Sequence, residues 1–180
     1  DVAGKALAMA APLALSTPEA AADLGDPVQG LEPWQRHRVG EVTVTGMPAL
    51  HGPPGSEPFV GPVVGFLLEA DGQPSVYVSG DNASLEHIDD IAARYAPIGV
   101  AILFAGAARV PAIDAPLTLT SADAAAAARI LGAWQVVGVH CEDWLHFSES
   151  RADLEAAFAA AGIADILLRT PRGERVALDG

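Results

Sequence analysis

The chain has 180 residues, 51% of them apolar, which is enough for one well-filled domain and too few for two comfortable ones. Its 23 acidic residues against 10 basic ones give a net charge of −13, so the basic footprint that a phosphate backbone requires is missing and nucleic acid is excluded as a partner. A lone cysteine, Cys141, rules out an internal disulfide framework and favours a reducing compartment, read here as cytoplasmic; no apolar window reaches the ~18 to 20 residues of a membrane-spanning helix, so no membrane partner is expected.

Residues 2–10 are good helix formers, and Pro12 ends that helix before a short apolar strand over 13–15. Lys5 and the apolar run after it resemble a short secretion-signal core, but Pro12 interrupts the run and no basic cluster precedes it, which favours the helix and strand. Thr17-Pro18-Glu19 opens a second helix: the threonine caps free amides, the proline costs no hydrogen bond, and the glutamate suits the helix dipole. Residues 26–38, with Pro27, Gly30 and Pro33, read as a connection in which Trp34 is packed.

Alternation predicts a strand over 39–45, and a hairpin joins strands 63–69 and 75–79 across Asp71-Gly72. Residues 51–58 between them, beginning His51-Gly52-Pro53-Pro54-Gly55, are too rich in proline and glycine for helix or strand. A helix over 84–95 puts Leu85, Ile88, Ala92 and Tyr95 on one face, and 99–104 is a short apolar strand. Thr120 with Asp123 forms a capping-box pattern for a helix over 122–131, followed by a buried strand over 134–139. Ser150 with Asp153 starts a last helix that carries Leu154, Ala157, Phe158 and Ala161 and closes at Gly162. The tail predicts a hairpin of 166–168 with 175–178 around the turn at Thr170-Pro171-Arg172-Gly173. Strands that alternate with helices in one part and form hairpins in another imply an α/β domain with a mixed sheet.

Three metal-capable residues share one structural address, because His51, Asp81 and His140 each follow a predicted strand. Strand ends can hold ligands to the tolerance a metal demands while the loops beyond leave room for substrate. Imidazole and carboxylate suit zinc, and a carboxylate can bridge two cations. Each residue also has a plainer reading: His51 as a solvated loop histidine, Asp81 as the cap of the next helix, His140 as a core histidine bonded to backbone. Spacing alone leaves both readings open.

The sequence Ala49-Leu50-His51-Gly52-Pro53, then Val76-Tyr77-Val78-Ser79-Gly80-Asp81, then Val139-His140-Cys141-Glu142-Asp143-Trp144-Leu145-His146-Phe147 resembles the metallo-β-lactamase superfamily, especially its branch similar to L-ascorbate-6-phosphate lactonases. The resemblance covers most of the chain from about Gly40 onward. It implies a four-layer αβ/βα sandwich with mixed sheets, of which this chain, a single domain, is the C-terminal part. It further implies a metal pair, zinc with manganese or iron as alternatives, held by His51, Asp81 and His140. The family's His-x-His-x-Asp-(His or Asn) cluster is missing from the sequence, and Asp1-Val2-Ala3-Gly4-Lys5 resembles the helix that ordinarily follows it. The expectation is therefore a chain lacking its N-terminal portion, completed by a complementing N-terminal segment or a homo-oligomer, and binding zinc poorly by itself.

The activity so implied is metal-dependent hydrolysis of a small ester, lactone or phosphoester by a metal-bound hydroxide. In it Asp81 is catalytic as well as a ligand, bridging the ions and orienting the nucleophile. His146 either reaches the substrate or is structural, and Cys141 is expected to be packed. The alternative is a non-catalytic module of the same fold, or an inactive fragment. A doubly wound nucleotide-binding domain is disfavoured, since no Gly-x-Gly-x-x-Gly turn follows a strand and no Walker lysine is present.

Overall fold

Runs of valine, isoleucine, leucine and phenylalanine between glycine, proline and aspartate turns set the strands of this chain. The structure, a computed structural model, describes residues 2–178; Asp1 of the opening stretch lies outside them. Helix α1 (Val2–Ala10) leads to β1 (Ala14–Ser16), and α2 (Pro18–Leu24) starts at Thr17, whose hydroxyl accepts the Ala20 amide at 3.2 Å. Strand β2 (Val28–Gly30) then pairs in parallel with β1 as a small separate sheet.

The main sheet has six strands in sequence order: β3 (Arg36–Val39), β4 (Val42–Pro48), β5 (Val64–Glu69), β6 (Val76–Val78), β7 (Val100–Phe104) and β8 (Gln135–Val139). Pairings from β3 to β6 are antiparallel, and those from β6 to β8 are parallel. One-turn α3 (Glu57–Val60) sits in the connection after β4. Helices α4 (Leu85–Tyr95) and α5 (Ser121–Ile130) make the two parallel crossovers, and α6 (Arg151–Ala160) follows β8. Both α5 and α6 begin with the reciprocal capping boxes that Thr120/Asp123 and Ser150/Asp153 predict. Among the described residues no helix is long and apolar enough to cross a membrane.

Strand direction places the site. Because β4 and β6 are both antiparallel to β5, and β6, β7 and β8 are mutually parallel, β4, β6, β7 and β8 all run the same way. Their C-terminal ends therefore share one edge of the sheet. Residues 51, 81 and 140 lie just beyond three of those ends.

The structure departs from expectation in four places. The strand over 39–45 is instead a hairpin, β3 and β4, turning at Gly40, which has a φ of 60° that glycine adopts without Cβ strain. The connection over 26–38 contains β2 and most of β3, so tertiary pairing recruits residues whose local composition signals a loop. In it Trp34 stacks on Tyr95 at 6.4 Å, under the Arg94 guanidinium at 4.1 Å. The irregular segment 51–58 ends inside α3. Finally, the tail hairpin is not formed: residues 164–166 are a 3-10 turn, Leu167 makes one parallel bridge to Val136, and 175–178 pair with no strand. The turn itself closes, with the Glu174 amide donating to the Pro171 carbonyl at 3.2 Å, but its first arm pairs with the edge of β8 and not with 175–178.

Candidate metal centre at the sheet edge

Each of the three connections at this edge is fixed by its own polar chemistry. After β6, the Ser79 hydroxyl donates to the Gly80 carbonyl and accepts the Phe104 amide at 3.0 Å, tying the turn to β7. Gly80 has a φ of 58°, and a side chain there would meet the Val64 carbonyl at 3.0 Å. The helix-capping role that competes for Asp81 is taken by its neighbours: the Ser84 hydroxyl accepts the His87 amide, and Asn82 Oδ1 accepts the Ser84 amide at 3.1 Å. Asp81 is left with no helix to cap.

Asn82 is the residue that sequence reasoning missed. It is wholly buried, and its Oδ1 also accepts the Leu50 amide at 3.0 Å while its Nδ2 donates to the Ser84 carbonyl at 2.9 Å. Its own carbonyl accepts from Leu119, and the Ala83 amide donates to the Leu50 carbonyl at 2.7 Å. One side chain thus fixes the residue before His51 against the residue after Asp81. An asparagine following an aspartate in a turn is ordinary, so the sequence carries no signal of that long-range role.

On the His51 side, Gly52 donates to the Leu117 carbonyl at 3.1 Å and has a φ of 87°. The buried Ser56 hydroxyl lies at donating distance from both the His51 and Pro53 carbonyls, 2.5 and 2.7 Å.

His140 closes the edge in a left-handed conformation, φ 55°, which costs a non-glycine residue roughly 1–2 kcal/mol. Gly106 makes room for it, since a Cβ there would fall 2.2 Å from the His140 carbonyl. The imidazole packs against Phe104 and Phe147, with centroids at 5.1 and 4.5 Å. Its Nδ1 lies 3.5 Å from Asp81 Oδ1. Both atoms are buried and neither has a hydrogen-bond partner. Burial lowers the proton affinity of His140; Asp81 opposes that effect, while His146 and His51 add to it. The neutral imidazole so favoured is the form that binds metals.

The structure thus brings Asp81 and His140 together, and His51 and His146 are close enough to His140 to lower its proton affinity. The His146 ring is exposed, 6.5 Å from that of His140. Among the described residues no three His, Cys, Asp or Glu side chains gather closely enough to hold an ion by themselves. Two facing donor atoms left without partners nevertheless suit a cation, because buried polar atoms in native proteins are otherwise almost always satisfied. The residues present fit a metal as part of a ligand set. Cys141 is packed, as expected, and burial pushes its thiol pKa up.

Residues 4–141 match the family described as Beta-lactamase superfamily domain. The chain belongs to that family. Among curated proteins none matches it. Its fold is similar to a possible metal-dependent hydrolase from Veillonella parvula DSM 2008, at 20% identity and a TM-score of 0.75, over 87% of this chain and 61% of that one. It is likewise similar to the isothiocyanate hydrolase from Delia radicum gut bacteria, at 19% identity and 0.74 over the same shares. A third likeness is to Igni18, a novel metallo hydrolase from the hyperthermophilic archaeon Ignicoccus hospitalis KIN4/I, at 21% and 0.69 over 90% of this chain and 66% of that one. The family match identifies the metallo-β-lactamase fold, and these likenesses are to hydrolases of similar fold. The chain spans about three fifths of the length of the first two structures.

Proposed function

We propose that this sheet edge is one side of a metal-dependent hydrolase centre, in which Asp81, His140 and His51 are metal ligands. The observation that carries the reading is the pair of buried, unpartnered donor atoms, Asp81 Oδ1 and His140 Nδ1, facing each other at 3.5 Å. The ligand set is short by itself, and we assign its remainder to a complementing layer, from further sequence or from a second copy. Such a layer would also cover the half-buried sheet face that carries Phe66, Val78, Ile102 and Val137. Two imidazoles and a carboxylate suit zinc, with manganese or iron as substitutes.

A bound metal supplies a lowered pKa for water and polarisation of the scissile carbonyl or phosphoryl oxygen. Asp81 would hold a cation through its carboxylate and orient an attacking water. His146, exposed and 6.5 Å from the His140 ring, would hydrogen-bond the substrate. The substrate class is a small ester, lactone or phosphoester. The motif around residues 139–147 favours the lactonase-like branch, and the lone buried thiol favours a cytoplasmic setting.

The test is metal analysis and an ester, lactone and phosphoester panel on the full-length protein and its His140→Ala variant. Bound transition metal and turnover that both fall in the variant are expected. No metal and no hydrolysis in the unaltered protein would leave a non-catalytic module of the same fold.

A further inference from the structure

The loop after His140 carries apolar side chains where a solvated turn would carry polar ones. Leu145 is fully exposed, at 106% of its reference area, and Trp144 is 54% exposed. The loop is nevertheless firmly held. The Arg109 amide donates to the His146 carbonyl at 2.8 Å, the Ser148 hydroxyl donates to the Ala107 carbonyl at 2.7 Å, and the Ser148 and Glu149 amides both donate to the Gly106 carbonyl. Gly106 seats the loop closely, because a Cβ there would also lie 3.0 Å from the Phe147 ring. The tip is therefore held out by its own backbone, and its exposure is a property of the fold.

From that tip a continuous run of rings leads inward. Trp144 lies 5.6 Å from His146, His146 lies 4.8 Å from Phe147, and Phe147 lies 4.5 Å from His140, whose Nδ1 faces Asp81. The exposed Trp144 ring and the candidate metal centre are two ends of one run of ring contacts. A large apolar surface held rigidly beside a reactive site suits a ligand that is polar at one end and apolar at the other. Tryptophan serves such a subsite well, since it offers a broad flat contact and its ring prefers offset or edge packing against another aromatic group.

We propose that Trp144 and Leu145 form a subsite for an apolar, preferentially aromatic, group of the substrate, whose reacting end lies at Asp81 and His140. For the reaction this rests on the hydrolase reading above; for binding it stands alone. The test uses full-length protein as wild type, Trp144→Ala and Trp144→Phe, with thermal unfolding as the folding control. Phenylacetate and acetate are titrated by calorimetry as probes, and kcat/KM is compared for their 4-nitrophenyl esters. Trp144→Ala should lose about tenfold in preference for the phenyl compound, in binding and in kcat/KM alike, and Trp144→Phe should recover most of it. An unchanged preference in Trp144→Ala overturns the proposal. If no ester is hydrolysed yet Trp144→Ala still loses phenylacetate affinity, the hydrolase reading falls and the subsite stands. If Trp144→Ala instead breaks an oligomer in sedimentation while the phenyl preference persists, the tip is an interface and the proposal is overturned.

Discussion

The two faces of the six-stranded sheet are made of the same strands and nearly the same residue types, yet they are buried very differently. Thr45, Leu67, Tyr77, Ala101 and Val136 lie side by side across five strands, and all are completely buried. They join one core with Ile88 and Ile91 of α4, Ala124 and Ala128 of α5, and Leu154 and Phe158 of α6. The next row along the strands, Phe66, Val78, Ile102 and Val137, points to the opposite face and is only half-buried. There a groove of about 350 Å³ runs between β1 and the sheet, lined by residues such as Leu13, Leu15, Phe66 and Leu68.

The accessible area of 9764 Å² exceeds the roughly 8,200 Å² that size scaling gives a compact monomer of this mass. Strands with apolar residues on both faces belong to sheets covered on both faces. The difference between the faces shows that strand composition in this chain anticipates two covering layers, of which α4–α6 supply one. The candidate centre lies at the edge where the two faces meet.

The largest test of that contrast is a pair of truncations. Phe158→Ala, on the helix side, should cost about 3–5 kcal/mol in urea unfolding, whereas Phe66→Ala, on the open side, should cost no more than about half of that. Equal costs would mean that the faces are equally covered in solution.

Next is the shared edge. Asn82→Ala strips the partly buried Leu50 and Ser84 amides of their acceptor and should cost about 1–3 kcal/mol. It should also weaken metal binding of the full-length protein about 10- to 100-fold, as loss of a ligand-supporting residue does. Calorimetry that finds stability lowered but metal affinity intact would confine Asn82 to a packing role.

A smaller effect, confined to the helix layer, is expected from Thr120→Ala, which removes the α5 cap and should cost about 1 kcal/mol in thermal unfolding. Smallest is a pH effect at the α6 cap. Hydrogen bonds from the Ser150 hydroxyl and amide hold the Asp153 carboxyl below its ordinary value. Its contribution is therefore fully present above the unfolded-state value and is lost as pH falls through the lower folded-state value. Replacing Asp153 with Asn should remove that acid-limb dependence from the melting curve.

Local signals were legible wherever the physics is local. The helix caps at Thr17, Thr120 and Ser150 and the β5–β6 hairpin follow from hydrogen bonds and turn chemistry within a few residues. The tail hairpin failed for the opposite reason: its turn closes locally, yet the edge of β8 takes the first arm from the second. The split of residues 39–45 into two strands comes from the turn at Gly40 and the pairing of β3 with β4, which local alternation does not encode.

The sequence by itself determined the longer helices, most strands of the main sheet and the presence of three metal-capable side chains after strands. Tertiary structure alone decided that β4, β6 and β8 run the same way, that Asn82 relieves Asp81 of a capping role, and that a glycine at 106 lets His140 adopt a positive φ. The physical reason is range. Propensity and capping act over three or four residues, whereas the convergence of side chains far apart in the chain is set by strand direction and by buried polar groups that must find partners wherever the fold brings them.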